Sequence, residues 1–218
     1  MPTVIFDFDS TLIRCESLEE ILRTQLLNRP DDREKIEAIT KAGMEGKIDF
    51  HTSLQQRLDI AQPSRQEVQE FSREVQKWLT PGVEDLVRTL EKNGVEVWII
   101  SGGLQEVLEA ASDYLGINKE KVHGVQLLWS DEGKYQGIDE SKAFSQSKVK
   151  GVQALEIKWH GPCILVGDGM TDYALFKEKM VDHFIAFTQY ARRQALVEVA
   201  PREASDVQQL QLYIKEYL

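Results

Sequence analysis

The spacing of apolar residues changes several times along this chain, and each change marks an element. Val4-Ile5-Phe6 is a short unbroken apolar run, the pattern of a strand buried on both faces. From Glu16 to Leu79 strand signal almost disappears. Apolar residues recur there at three- and four-residue spacing, in Ser17–Leu22, Arg33–Met44, Asp49–Leu58 and Arg65–Trp78, which predicts helices. Ser17 followed by Glu20, and Ser64 followed by Glu67, read as capping boxes.

The rhythm changes again at Thr80-Pro81, an N-cap with proline at the first helical position, which predicts a helix to about Lys92. Asn93-Gly94 breaks it, and Val95–Ile100 is a second β-prone run closed by Ser101-Gly102-Gly103. A helix to about Leu115 follows. Val122–Trp129 and Tyr135, joined through Asp131-Glu132-Gly133, predict a hairpin. Then come a helix over Gln146–Lys158, a strand over Cys163–Val166 ended by Gly167-Asp168-Gly169 and a helix, a strand over Phe184–Phe187, and a helix over Asp206–Tyr217. Alternating strands and helices imply an α/β fold with a doubly wound parallel sheet. Residues 1–15 and 80–218 form its core domain, and 16–79 a small helical domain inserted after the first strand.

Composition narrows the function. The 218 residues carry a net charge of −10 and no Lys/Arg-rich stripe, which argues against a nucleic-acid partner. No apolar run approaches a membrane span. The start of the chain runs directly into strand pattern, and Cys15 and Cys163 match no metal or redox spacing. A reduced, cytoplasmic setting is expected.

The chemistry starts at Asp7-Phe8-Asp9-Ser10-Thr11-Leu12, directly behind the first strand. In an extended chain residues i and i+2 share a face, and like charges so placed repel unless a hard cation such as Mg²⁺ neutralises them. A calcium-loop reading fails, because Leu12 and Leu18 stand where that loop needs Gly and Glu. Asp7–Thr11, Ser101–Gly103 and Gly167–Asp172 all lie at carboxyl ends of strands, where a doubly wound sheet builds its site. Lys148, at a helix start, can add a point charge, although periodicity does not separate it from Lys150.

The ordered set D-x-D-S-T, S-G-G, Lys and G-D-G-x-T-D resembles the haloacid dehalogenase superfamily of phosphohydrolases. Glu16, Met44-Glu45-Gly46-Lys47, Phe50, Arg57 and Gly169-Met170-Thr171-Asp172 extend the resemblance to its phosphoserine phosphatase branch. The resemblance covers essentially the whole chain and implies a Rossmann-like core with a helical cap. It also implies a Mg²⁺-dependent phosphomonoesterase, acting on L-phosphoserine or another small phosphorylated metabolite. By it Asp7 is the nucleophile and Asp9 the acid/base. Asp7, the Asp9 carbonyl and Asp168 hold the metal. Ser10, Thr11, Ser101, Gly102 and Lys148 bind phosphate, with the family pattern favouring Lys148. Glu16, Met44, Phe50, Arg57, Gly103 and Thr171 contact substrate, and Asp172 orients a metal water or Lys148. One departure is His123-Gly124-Val125, where many relatives carry Phe-Ala-Asn. A phospho-accepting signalling domain is the rival of a different class. It shares the acceptor aspartate and the sheet but has no use for Asp9.

Overall fold

A computed structural model describes residues 1–218, with the side chains of all but Thr24 and Met44. The strands are β1 (Thr3–Phe6), β2 (Glu96–Leu104), β3 (Val122–Val125), β4 (Leu127–Trp129), β5 (Tyr135–Ile138), β6 (Cys163–Gly167), β7 (His183–Phe187) and β8 (Glu203–Ala204). Six of them form one sheet in the order β3-β2-β1-β6-β7-β8, and every pair in it is parallel. The central strands β1 and β6 are wholly buried, which explains why they read as unbroken apolar runs rather than alternating ones. Helices α5 (Val83–Lys92), α6 (Gln105–Leu115), α7 (Ala143–Gln146), α8 (Lys148–Ala154), α9 (Met170–Lys177), α10 (Gln194–Val197) and α11 (Val207–Tyr217) follow or link these strands. Two apolar clusters divide the core. One holds Val4, Phe6, Ile99 and Val166, the other Ile5, Ile100, Leu165 and Phe184, as alternation along buried strands requires.

Between β1 and β2 lie α1 (Ser17–Leu26), α2 (Pro30–Met44), α3 (Phe50–Ala61) and α4 (Arg65–Arg73), with a short 3₁₀ turn over Val75–Trp78. The chain enters and leaves this helical stretch side by side: Ile13 bridges Leu79, Arg14 N donates to Trp78 O, and Thr80 N to Leu12 O. Ser64 and Glu67 form the expected capping box at α4. The other box, Ser17 with Glu20, is replaced. Ser17 donates its hydroxyl to Asp9, and Glu20 pairs with Arg23.

Boundaries differ from the sequence reading in several places; β2, for one, runs on through Ser101-Gly102-Gly103 to Leu104, and the helix read over Arg65–Trp78 ends at Arg73. Thr80 is no N-cap: its hydroxyl donates to Thr11 O at 2.7 Å, and the helix starts at Val83 behind Gly82, whose φ of +89° suits glycine. Residues 122–129 are not one hairpin arm. Val122–Val125 joins the edge of the main sheet, and only Leu127–Trp129 pairs with Tyr135–Ile138. The helix over 146–158 breaks at Ser147, whose hydroxyl accepts from Lys150 N and so starts α8 afresh, and α8 ends at Ala154.

Candidate active site

The parallel sheet aims the ends of β1, β2 and β6 at one place, and the four inserted helices cover it. Between them lies a cavity. It is lined by Asp7, Asp9, Ser101, Gly102, Gly103, Lys148, Asp168 and Thr171 from the sheet side, and by Glu16, Phe50 and Arg57 from the helical side. These distant segments are thus brought together.

Asp7 follows β1, and its amide donates to Val166 O, continuing the ladder one residue past the strand. The chain then curls through Phe8–Leu12, with Ser10 at a φ of +51°. Asp7 and Asp9 both still line the cavity, but they meet different partners there. Asp7 faces Lys148, with Nζ 2.7 Å from Oδ1, whereas Asp9 turns to Ser17, which donates its amide at 2.9 Å and its hydroxyl at 3.1 Å. Burial, then Glu16, raise the Asp9 carboxyl well above the usual carboxylate range, against the opposing Ser17 hydrogen bonds.

Lys148, rather than Lys150, enters the site. It is 5% exposed and lies 2.5 Å from Asp172 Oδ1, while Lys150 bonds Gln146 at the surface. Burial alone would lower the Lys148 pKa, but Asp172 and Asp7 outweigh it and leave it raised, so the ammonium persists. Burial and Asp7 push the Asp172 carboxyl up to about 7, with Lys148 pulling it down. Asp172 lies behind the cavity lining, and its Oδ2 also accepts from Gly169 N at 3.1 Å.

The carboxylate oxygens of Asp7, Asp168 and Asp172 lie within 4.8 Å of one another. Three buried acids so close suit a hard divalent cation, and Asp7 Oδ1, beside its ion pair with Lys148, keeps a further lone pair for it. The Asp9 side chain is outside this group; its expected contribution was the backbone carbonyl.

Two expected phosphate contacts are turned away. Ser10 donates to Glu16 Oε1 at 2.7 Å, and Thr11 is buried with its hydroxyl facing no partner; neither lines the cavity. The curl after Asp7 sends both side chains elsewhere. The Met44 side chain lies outside the described residues. Arg57 is 9% exposed and is held by Ser53 O and Thr40 Oγ1, at 3.3 and 3.4 Å. No described carboxylate forms an ion pair with it. Burial lowers its pKa, while Glu16, Glu19 and Asp9 raise it. Phe50 packs on the S-G-G segment of β2 so closely that a Cβ on Gly102 would stand 2.5 Å from its ring.

Sequence reasoning missed Arg193. Its guanidinium donates to the carbonyl and carboxylate of Asp168 and reaches Glu16 Oε1 at 3.5 Å. The available signal was its place behind β7, at the same end of the sheet as the motifs.

A family model for haloacid dehalogenase-like hydrolases matches residues 4–177. The phosphoserine phosphatase of Homo sapiens is 32% identical over 210 residues, 95% of this chain and 90% of that one. Among solved structures, a phosphoserine phosphohydrolase-like protein from Francisella tularensis subsp. tularensis SCHU S4 superposes with a TM-score of 0.95 at 39% identity, covering 98% of this chain and 100% of the other. A phospho-aspartyl intermediate analogue of phosphoserine phosphatase superposes with a TM-score of 0.76 at 26% identity, covering 97% and 98%.

Proposed function

The chain belongs to the haloacid dehalogenase-like hydrolase family, and on that premise we propose that it is a Mg²⁺-dependent phosphomonoesterase that hydrolyses L-phosphoserine to serine and phosphate. The observation that carries this reading is the separation of two carboxylates in one cavity. Asp7 stands among Lys148, Asp168 and Asp172, while Asp9, two residues on, is held apart by Ser17. In this reading one attacks phosphorus and the other moves a proton. A slow phosphate store has no use for the second, which disfavours a signalling domain.

In this reading Asp7 attacks the phosphoryl group and forms an aspartyl-phosphate, and Asp9 protonates the leaving alkoxide. Asp9 then takes a proton from the water that breaks the intermediate. Burial raises the Asp9 carboxyl, which favours its acid form. Ser101, the Gly102 amide and Lys148 offset charge on the non-bridging oxygens. Asp7, Asp168 and the Asp9 carbonyl would hold Mg²⁺, with Asp172 beside them, and the bound ion would lower repulsion between Asp7 and the substrate dianion. Glu16 suits the substrate ammonium and Arg57 its carboxylate.

The helices over the site act as a cap domain, residues 16–79, hinged near 14–17 and 79–82, where the two crossing segments pair. Opening must also release α4 from the hairpin turn, where Arg65 N donates to Gly133 O at 2.9 Å. A cytoplasmic setting accords with two free cysteines, and no helix among the described residues is long and apolar enough to cross a membrane.

The test is phosphate release from a panel of small phosphomonoesters with Mg²⁺, with EDTA, and with Asp7→Asn. Preference for phosphoserine, lost with EDTA and with the substitution, is expected. Metal-dependent turnover that prefers another ester would retire the substrate and keep the mechanism. Stable labelling of Asp7 without turnover would favour the signalling domain.

A further inference from the structure

Ser17 is the first residue of α1 and is 1% exposed. A serine at a helix start ordinarily spends its hydroxyl on amides of its own first turn. This one does not. Its hydroxyl donates to Asp9 Oδ2 at 3.1 Å and its amide to Asp9 Oδ1 at 2.9 Å, so a single residue holds both oxygens. Gly103 walls the other side: a Cβ there would lie 3.4 Å from Asp9 Oδ2. Ser17 also lines the cavity shared by Asp7 and Asp9.

We propose that Ser17 is the positioning residue for the acid/base carboxylate, so that the first turn of α1 directs the Asp9 proton at the leaving group. The inference rests on the acid/base role proposed for Asp9. A backbone N–H only donates, so Oδ1 remains an acceptor and the proton of the acid form belongs on Oδ2. The Ser17 hydroxyl can donate to a lone pair of Oδ2 in either protonation state, which leaves the Oδ2 proton free to face the leaving oxygen. In the first half-reaction an Asp7 oxygen bonds to phosphorus as the ester P–O bond breaks. The electron pair of that bond goes to the leaving oxygen, which takes the Oδ2 proton. In the second, water attacks phosphorus and gives one proton to Oδ2, and the bond to Asp7 breaks with its pair returning to the carboxylate. Ester and water become alcohol and phosphate, and Asp9 ends protonated, as it began.

Leaving-group dependence separates this role from a merely structural one. The ratio kcat/KM reports steps through the first P–O cleavage. The alkoxide of phosphoserine needs a proton to leave, phenolate needs one less, and 4-nitrophenolate leaves without. For Ser17→Ala, kcat/KM is expected to fall about tenfold or more on phosphoserine, less on phenyl phosphate, and no more than about twofold on 4-nitrophenyl phosphate. Ser17→Thr, which keeps the hydroxyl, restores most of the loss. In an Asp9→Asn background Ser17→Ala removes nothing further.

Equal losses on all three esters would overturn the proposal, and so would unchanged kinetics. Turnover of the nitrophenyl ester reports that a variant is folded, and Ser17→Gly serves the same comparison if the alanine variant is insoluble. The wild-type rates judge the substrate separately. Hydrolysis of aryl esters but not phosphoserine would end that reading and leave the Ser17 test on the phenyl and nitrophenyl pair.

Discussion

Arg57 is buried with a carbonyl and a hydroxyl as its hydrogen-bond partners, an arrangement that gives up hydration without gaining a carboxylate. A substrate carboxylate would supply the missing charge through a guanidinium fork. Arg57→Ala should therefore raise KM for phosphoserine by about 10- to 100-fold, the size of one charged hydrogen-bonding group. For ethanolamine phosphate, which has no carboxylate, kcat/KM should stay within about threefold, and Arg57→Lys should recover little. Equal losses on both esters, in steady-state kinetics, would refute the assignment. Gly102 gives a second residue-scale test. Its missing Cβ is what lets Phe50 close on this end of β2, so Gly102→Ala should cost about 1–3 kcal/mol in transition-state binding through overpacking. Adding Phe50→Leu should return part of it; kcat/KM of the single and double variants decides.

At the scale of elements, the edge strand β3 brings His123 between Phe144 of α7 and Trp98 of β2, with ring centroids 4.7 and 5.8 Å apart. This is the segment whose sequence departs from the resembling family, and it packs as an aromatic stack rather than reaching the cavity. Burial pulls the His123 pKa below 6.5. Between that lowered value and 6.5 the unfolded chain binds a proton that the folded chain does not. Stability from this group is therefore complete above pH 6.5 and declines as pH falls through the window. His123→Phe, which keeps the stack, should shrink the drop in urea midpoint between pH 7.5 and 5.5. An unchanged drop would show that the ring does not titrate as its burial implies. The neighbouring break at Ser147 has a functional result, since restarting the helix there puts Lys148 in a first turn facing Asp7 and Asp172.

Across the whole molecule, the cation binding proposed for the three clustered carboxylates would couple to folding. A Mg²⁺ concentration 100 times its Kd should stabilise the folded chain by about 2.7 kcal/mol, roughly 5–10 °C in Tm for a domain this size. EDTA should reverse the shift and Asp168→Asn should abolish it; scanning calorimetry that finds no shift would exclude the cluster as a metal site. The local sequence determined that fold and the order of its parts. Apolar runs, helical spacing and glycine turns act between near neighbours, and parallel strands joined by helices bring all three motifs to one end of the sheet. Partners were not legible, because periodicity fixes which face a side chain occupies but not what meets it. Lys148 and Lys150 share one helical pattern, and only the packing of α8 separates them. Ser10 and Thr11 follow the acids in sequence yet are turned from the cavity by a curl that no spacing encodes. Arg193 reaches Glu16 across 177 residues, and Ser17 holds Asp9 instead of its own helix. Those contacts come from tertiary packing, where a buried carboxylate draws whichever donor the fold carries within reach.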